Sequence, residues 1–222
     1  MPDALELALK FLSAAAGLGT AAMGVVDSMK AWRGGPSNFG FKRIEEGVTK
    51  FLGSEPAEKG IAFGQADILA TLKSNWINGV PKAEQKAKAK SLIHLNLTTG
   101  NAKALAAAAG VDPEMLAALA TKIAKGEETT KEEINALGQF DAVLSAVLDN
   151  AYERGDQQYR NGSKALAMVV ATLMSVIGAA LIGANIRIAV LIGISATSLA
   201  PIAKDLSTTL QAAATAARLV RR

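Results

Sequence analysis

The chain has one histidine, His94, set in the apolar run LIHLNL at residues 92–97, and no cysteine in its 222 residues. Zinc and most transition-metal sites draw three or four ligands from Cys, His and carboxylates. A lone imidazole without thiolate partners therefore reads as a partly buried, hydrogen-bonded side chain. The lack of cysteine also removes disulfides, thiolate clusters and cysteine nucleophiles. The carboxylates Glu127, Glu128, Glu132, Glu133, Asp149, Glu153 and Asp156 have neither EF-hand spacing nor the pairing of an acid/base site, which is the pattern of a charged surface. Lys82, Lys86 and Lys90 recur every four residues and share one helix face. That face could meet solvent or the phosphates of anionic lipid; solvent is the expectation. No GxxxxGK[ST] or GxGxxG loop joins a strand to a helix, so no nucleotide site is read. The residues assign no catalytic group, cofactor or metal ligand.

Helices must carry these side chains. Residues 1–31 form an N-terminal hydrophobic helix, nearly uncharged from Phe11 to Val26, with Asp3 and Glu6 placed where a secretory signal wants positive charge. Small residues at i, i+4, Ala15/Gly19 and Thr20/Gly24, suit close approach of a second helix. The expectation is a membrane span or a deeply inserted helix, with an amphipathic helix of a soluble bundle as the other reading. Trp32 and Arg33 belong at an interface, and Gly34-Gly35-Pro36 ends the helix.

Residues 37–160 read as an all-helical cytoplasmic domain. Phe41, Ile44, Val48, Phe51 and Leu52 keep the helical rhythm, as do Ile61, Ile68, Leu69, Leu72 and Trp76 in a helix read over residues 57–77. Asp112 with Pro113 marks a helix start, and Thr130 with Glu133 spells a capping box. Ile134, Leu137, Val143, Leu144, Val147 and Leu148 form the inward stripe of the helix that follows.

Residues 164–204 are expected to form a hydrophobic helical hairpin. From 165 to 184 the only polar side chains are Thr172 and Ser175, and twenty helical residues cover the roughly 30 Å core of a bilayer. The turn is read at residues 185–187. The second run, 188–203, is shorter and contains Pro201; it reaches only about 24 Å at 1.5 Å per residue. Gly178, Ala179, Gly183, Gly193 and Thr197 join the small residues of the first helix as packing positions. Tyr159, Arg160, Lys164 and Arg187, with Trp32 and Arg33, are the membrane-interface residues. An amphipathic C-terminal helix is expected over residues 205–222, striped by Leu206, Leu210, Ala213, Ala217 and Val220.

Composition points the same way: half the residues are hydrophobic but only 5% are aromatic, with a mean hydropathy of +0.23. Such a chain supplies a large soluble core poorly and close-packed membrane helices well. The net charge of +4 comes from the flanks of the hydrophobic segments, since acidic and basic residues balance between Ala31 and Ser163. A nucleic-acid partner would need a concentrated basic face and is not expected.

The order of parts resembles a group of bacterial membrane proteins of unassigned function. The similarity lies in the N-terminal hydrophobic helix, the stretch FKRIEEGVTKFL at 41–52, the amphipathic LDNAYER at 148–154, and a hydrophobic hairpin with a polar Asn185-Ile-Arg turn. The resemblance implies topology: about three transmembrane or membrane-inserted helices in an inner or intracytoplasmic membrane. The positive-inside rule puts the middle domain and the C-terminus in the cytoplasm. The expected function is a non-enzymatic membrane scaffold or accessory subunit, packed by small-residue helices into a homo-oligomer or a larger complex. The alternative is an oligomeric pore-forming or membrane-disrupting effector with Asn185 or Arg187 at its mouth. An enzyme or transporter would need ionisable groups within the spans, and Glu6, Lys10, Asp27 and Arg187 all lie near their ends.

Overall fold

Helices account for every regular element among the described residues. The computed structural model describes residues 2–32, 34–52 and 64–199, and among the described residues there is no strand. In order they are α1 (Pro2–Ser28), a 3-10 turn at Met29–Ala31, α2 (Ser37–Thr49), α3 (Gln65–Ile77), α4 (Lys82–Leu95), α5 (Ala102–Ala109), α6 (Pro113–Lys125) and α7 (Lys131–Leu181), followed by α8 (Ile186–Leu199). Arg33, Ile61 and the amphipathic stretch 205–222 lie outside the described residues. The chain divides into two compact units. One spans residues 37–159; the other joins residues 1–36 to 160–222, so the N-terminal helix and the hairpin, read as separate segments, belong to a single unit.

Local chemistry sets most of the helix ends. Asp112 caps α6 by accepting from the backbone N–H groups of Glu114 and Met115 at 2.9 and 3.2 Å, with Pro113 at the first helical position. Gly110 and Gly126 close α5 and α6 in the left-handed conformation at φ 67° and 70°. At the start of α7, Thr130 N–H donates to Glu133 Oε2 at 2.7 Å, while Glu133 N–H donates to Thr130 Oγ1 at 3.3 Å. This is the reciprocal capping box that the sequence spelled. The Thr130 backbone N–H and the Lys122 ammonium hold the Glu133 carboxyl below the usual carboxylate range.

The 37–159 unit has a contiguous apolar core of twenty buried residues, which corrects the expectation drawn from the low aromatic content. The few aromatics are concentrated here instead of spread along the chain. Phe51 meets Phe140 edge-on with ring centroids 6.1 Å apart, and Trp76 lies edge-on to both Tyr152 and Tyr159 at 6.3 Å. Phe41, Ile44, Val48, Phe51 and Leu52 are all buried as their periodicity required. On α7 the buried stripe is Phe140, Leu144, Leu148 and Tyr152; Ile134 is exposed, and Leu137, Val143 and Val147 are only partly covered.

α7 runs 51 residues without a break. It carries the domain helix straight into the segment read as the first arm of the hairpin; Gly162 does not break it, since without a proline a single glycine costs about 1 kcal/mol, which a long helix absorbs. The hairpin turn also sits earlier than residues 185–187. Ile182 N–H donates to Gly178 O at 3.2 Å and Ala184 N–H to Ala179 O at 2.8 Å, with Gly183 at φ 68°. That is a Schellman-type closure, and it makes Gly183 a turn residue and not a packing residue. Asn185 then caps α8, its Oδ1 accepting from Arg187 N–H at 2.9 Å.

Candidate functional site

Three features can do something physical: an outward apolar surface on one unit, and an ion-pair ladder and a groove on the other. The first belongs to α1, α8 and the C-terminal part of α7. Ala15, Gly19, Ala22 and Val26 recur along one buried stripe of α1. Ala22 and Val26 pack in one cluster with Ala167 and Ala171 of α7 and Ala196 of α8. At Gly193 an added Cβ would lie 2.9 Å from Thr172 N and Oγ1, and nearer still to its Cα, so glycine is what permits this α7–α8 approach. Thr172 turns its hydroxyl inward along its own helix, donating to Met168 O at 2.8 Å. Of the other expected packing residues, Ala179 is buried and Thr197 half-buried, whereas Thr20 and Gly24 are exposed. Gly24 and Gly178 have no atom within 4 Å of where a Cβ would stand.

Facing away from that seam, Val169, Leu173, Ile177 and Leu181 form an exposed row at four-residue spacing, and Ile186, Ile188, Leu191 and Ile194 are exposed on α8. Two helices are long and apolar enough to cross a membrane. In their most apolar windows only 22% of α1 and 17% of α7 is buried, whereas the core helix of a water-soluble protein would be mostly covered. α8, at 14 described residues, is shorter than a span. Of the expected interface residues, Trp32 is exposed at 83%, and Arg160, Lys164 and Arg187 are exposed. Tyr159 is half-buried against Trp76 and the backbone of Gly40.

The second feature was invisible in the sequence. The lysines expected to face solvent cross to α7: Lys82 pairs with Asp156 at 3.0 Å, Lys86 with Asp149 at 2.5 Å and Lys90 with Asp141 at 2.6 Å. His94 extends the row, its Nε2 lying 2.9 Å from Asp141 Oδ1 and its ring edge-on to Phe140. Partial burial pushes the Asp141 carboxyl up, but hydrogen bonds from Lys90 and His94 outweigh it and hold the group below the usual range. Lys90 Nζ also reaches Ser145 Oγ at 3.2 Å. This resembles a nucleophile–base pair only in composition, because Lys90 is anchored on Asp141 as an ammonium donor and the serine hydroxyl donates to Asp141 O at 2.8 Å. Among the described residues no group of three or more His, Asp or Glu could hold a metal ion.

The third feature is a groove of about 450 Å³ between α2 and α7. The two helices run antiparallel and cross where Gly40 and Gly155 touch. A Cβ on Gly40 would stand 2.5 Å from Gly155 O and 2.7 Å from Trp76 Cζ2, and one on Gly47 would stand 2.7 Å from Ala151 Cβ. Small-residue packing, expected from the sequence only within the hydrophobic segments, thus also builds this unit.

No family model, curated protein or solved structure matches the chain. Function is accordingly read from these surfaces.

Proposed function

We propose that the protein is a non-enzymatic membrane scaffold or accessory subunit, embedded through α1, the C-terminal part of α7 and α8, with the 37–159 unit serving as its binding domain. The observation that carries this reading is the exposed row Val169, Leu173, Ile177 and Leu181 together with the apolar face of α8. A contiguous apolar surface of this kind is unfavourable in water at roughly 25 cal/mol per Å² and is matched by lipid chains. The cations Lys30, Lys42, Arg43 and Lys50 after α1, and Arg154, Arg160 and Lys164 before the apolar end of α7, favour a cytoplasmic 37–159 unit in a bacterial inner or intracytoplasmic membrane. α8 is then a re-entrant or interfacial helix that shields the Thr172 face of α7.

Self-association fits the remaining small surface. Ala15, Gly19 and Gly193 are used within the unit, which leaves Thr20 and Gly24 of α1 for a second copy. Membranes from cells expressing the chain decide the first point: the protein should stay with the pellet after alkaline washing and leave it only with detergent. Recovery in the alkaline supernatant rejects the proposal. Gly24→Leu should then lower the mass of the detergent-solubilised particle, and a monomeric wild type would remove the self-association part.

A further inference from the structure

We propose that the α2–α7 groove is a binding site for a phosphate-bearing ligand whose neighbouring apolar part lies on the groove floor. The inference is independent of membrane embedding, because the groove lies wholly within the 37–159 unit. Its walls are two helix faces. Arg43 and Gly47 lie along α2 with Lys50 in the turn just after it, and Val143, Val147, Asn150 and Arg154 recur along α7. The floor is apolar and low because Gly47, Ala146 and Ala151 place almost nothing there.

The rim carries three cations, Arg43, Lys50 and Arg154, against one carboxylate, Glu46. Glu46 is already engaged, its Oε2 accepting from Arg43 Nη1 at 2.9 Å, while Arg43 Nε donates to Gln158 at 2.8 Å. A guanidinium has five N–H donors, so Arg43 is fixed in place and still has donors to offer. Lys50 and Arg154 have no ion-pair partner among the described residues. Of the other acids on this part of α7, Asp141, Asp149 and Asp156 are committed to α4, and Glu153 does not line the groove. α7 therefore carries paired carboxylates toward α4 and the unpaired Arg154 toward α2. Asn150 adds an amide, which completes a donor-rich rim over an apolar floor.

That combination selects for a phosphate over a carboxylate. Three cations lining one groove, two of them guanidinium forks, match a group with three or more acceptor oxygens and up to two charges. The apolar floor gives no stabilisation to a bare ion and does stabilise an ester or a chain attached to it. The same headgroup chemistry could arrive on an anionic phospholipid or on a soluble phosphate monoester.

Titration calorimetry on the full-length protein in neutral maltoside micelles tests the site and separates the two sources. The probes are dihexanoyl phosphatidylglycerol, dihexanoyl phosphatidylcholine and glycerol 3-phosphate. Lys50→Gln and Arg154→Gln should each weaken the anionic probes about tenfold or more, the scale of one charge-assisted hydrogen bond. Lys88→Gln, an exposed cation elsewhere, should change them less than twofold. Ala146→Phe, an exposed position that fills the floor, should weaken binding at least fivefold while leaving the Trp76 emission of the folded unit unchanged. Phosphatidylglycerol binding alone assigns the site to lipid headgroups; glycerol 3-phosphate binding as well assigns it to phosphate itself. The inference fails if phosphatidylcholine binds as tightly as the anionic probes, if none of the three binds, or if Lys88→Gln weakens binding as much as the groove variants.

Discussion

Gly40→Ala is the sharpest test of the helix crossing that shapes both the core and the groove. In wild type the α2 backbone passes so close to α7 that the new methyl would stand 2.5 Å from Gly155 O, 2.7 Å from Trp76 Cζ2 and 2.9 Å from Tyr159 Cβ. Ordinary non-bonded contacts lie near 3.5–4.0 Å, so the helices must part by roughly 1 Å. Two of the three neighbours are a backbone carbonyl and a Cβ, which cannot rotate away. The third is the ring of Trp76, pinned by its Nε1 donating to Ser37 O at 2.9 Å. Overpacking of this kind costs typically 1–3 kcal/mol, here toward the upper end, and alanine returns up to about 1 kcal/mol of helix propensity. A net loss of about 2 kcal/mol follows. For the unit at residues 37–159, that corresponds to a Tm lower by about 6–10 °C. The measurement is thermal and urea unfolding of the full chain in mild detergent, followed by Trp76 fluorescence in a Trp32→Phe background. Gly138→Ala, where no atom lies within 4 Å of the new methyl, should hold or raise the Tm. A Gly40→Ala variant as stable as Gly138→Ala would refute the close crossing.

Three further outcomes are expected. Asp141→Asn should cost about 1 kcal/mol, the size of partly exposed ion pairs, and less in high salt. The Asp141 carboxyl is held low in the folded state, so its contribution is present above the ordinary carboxylate pKa and lost as the pH falls through the lower folded value; the acid limb of the pH–stability curve should be shallower in the variant. Tyr152→Phe should leave the Tm unchanged or raise it by up to about 1 kcal/mol equivalent, because the Tyr152 hydroxyl is buried with no hydrogen-bond partner among the described residues and burial pushes the phenol pKa up. Gly183→Ala should destabilise the hairpin by roughly 1–2 kcal/mol through its left-handed φ of 68°, whereas Gly178→Ala, with open space around it, should be neutral or stabilising in the same unfolding titration.

What the sequence determined by itself was local. Helices follow from apolar spacing, their ends from Asp112 with Pro113 and from Thr130 with Glu133, and the length and apolarity of the segment beginning at Ala165 from composition alone, because each of these depends on residues within a few positions of one another. The buried face of α2 was legible for the same reason. Tertiary structure decided everything that depends on a distant partner. Lys82, Lys86 and Lys90 look like a solvated face until α7 brings Asp156, Asp149 and Asp141 to them across 74, 63 and 51 residues. Gly40 and Gly155 are ordinary helix glycines until two backbones cross there. Gly183 read as a packing residue because composition cannot tell a glycine needed for space from one needed for a positive φ. The exposed row on α7 was decided last of all: hydrophobicity is a property of the chain, but whether protein covers it is a property of the fold.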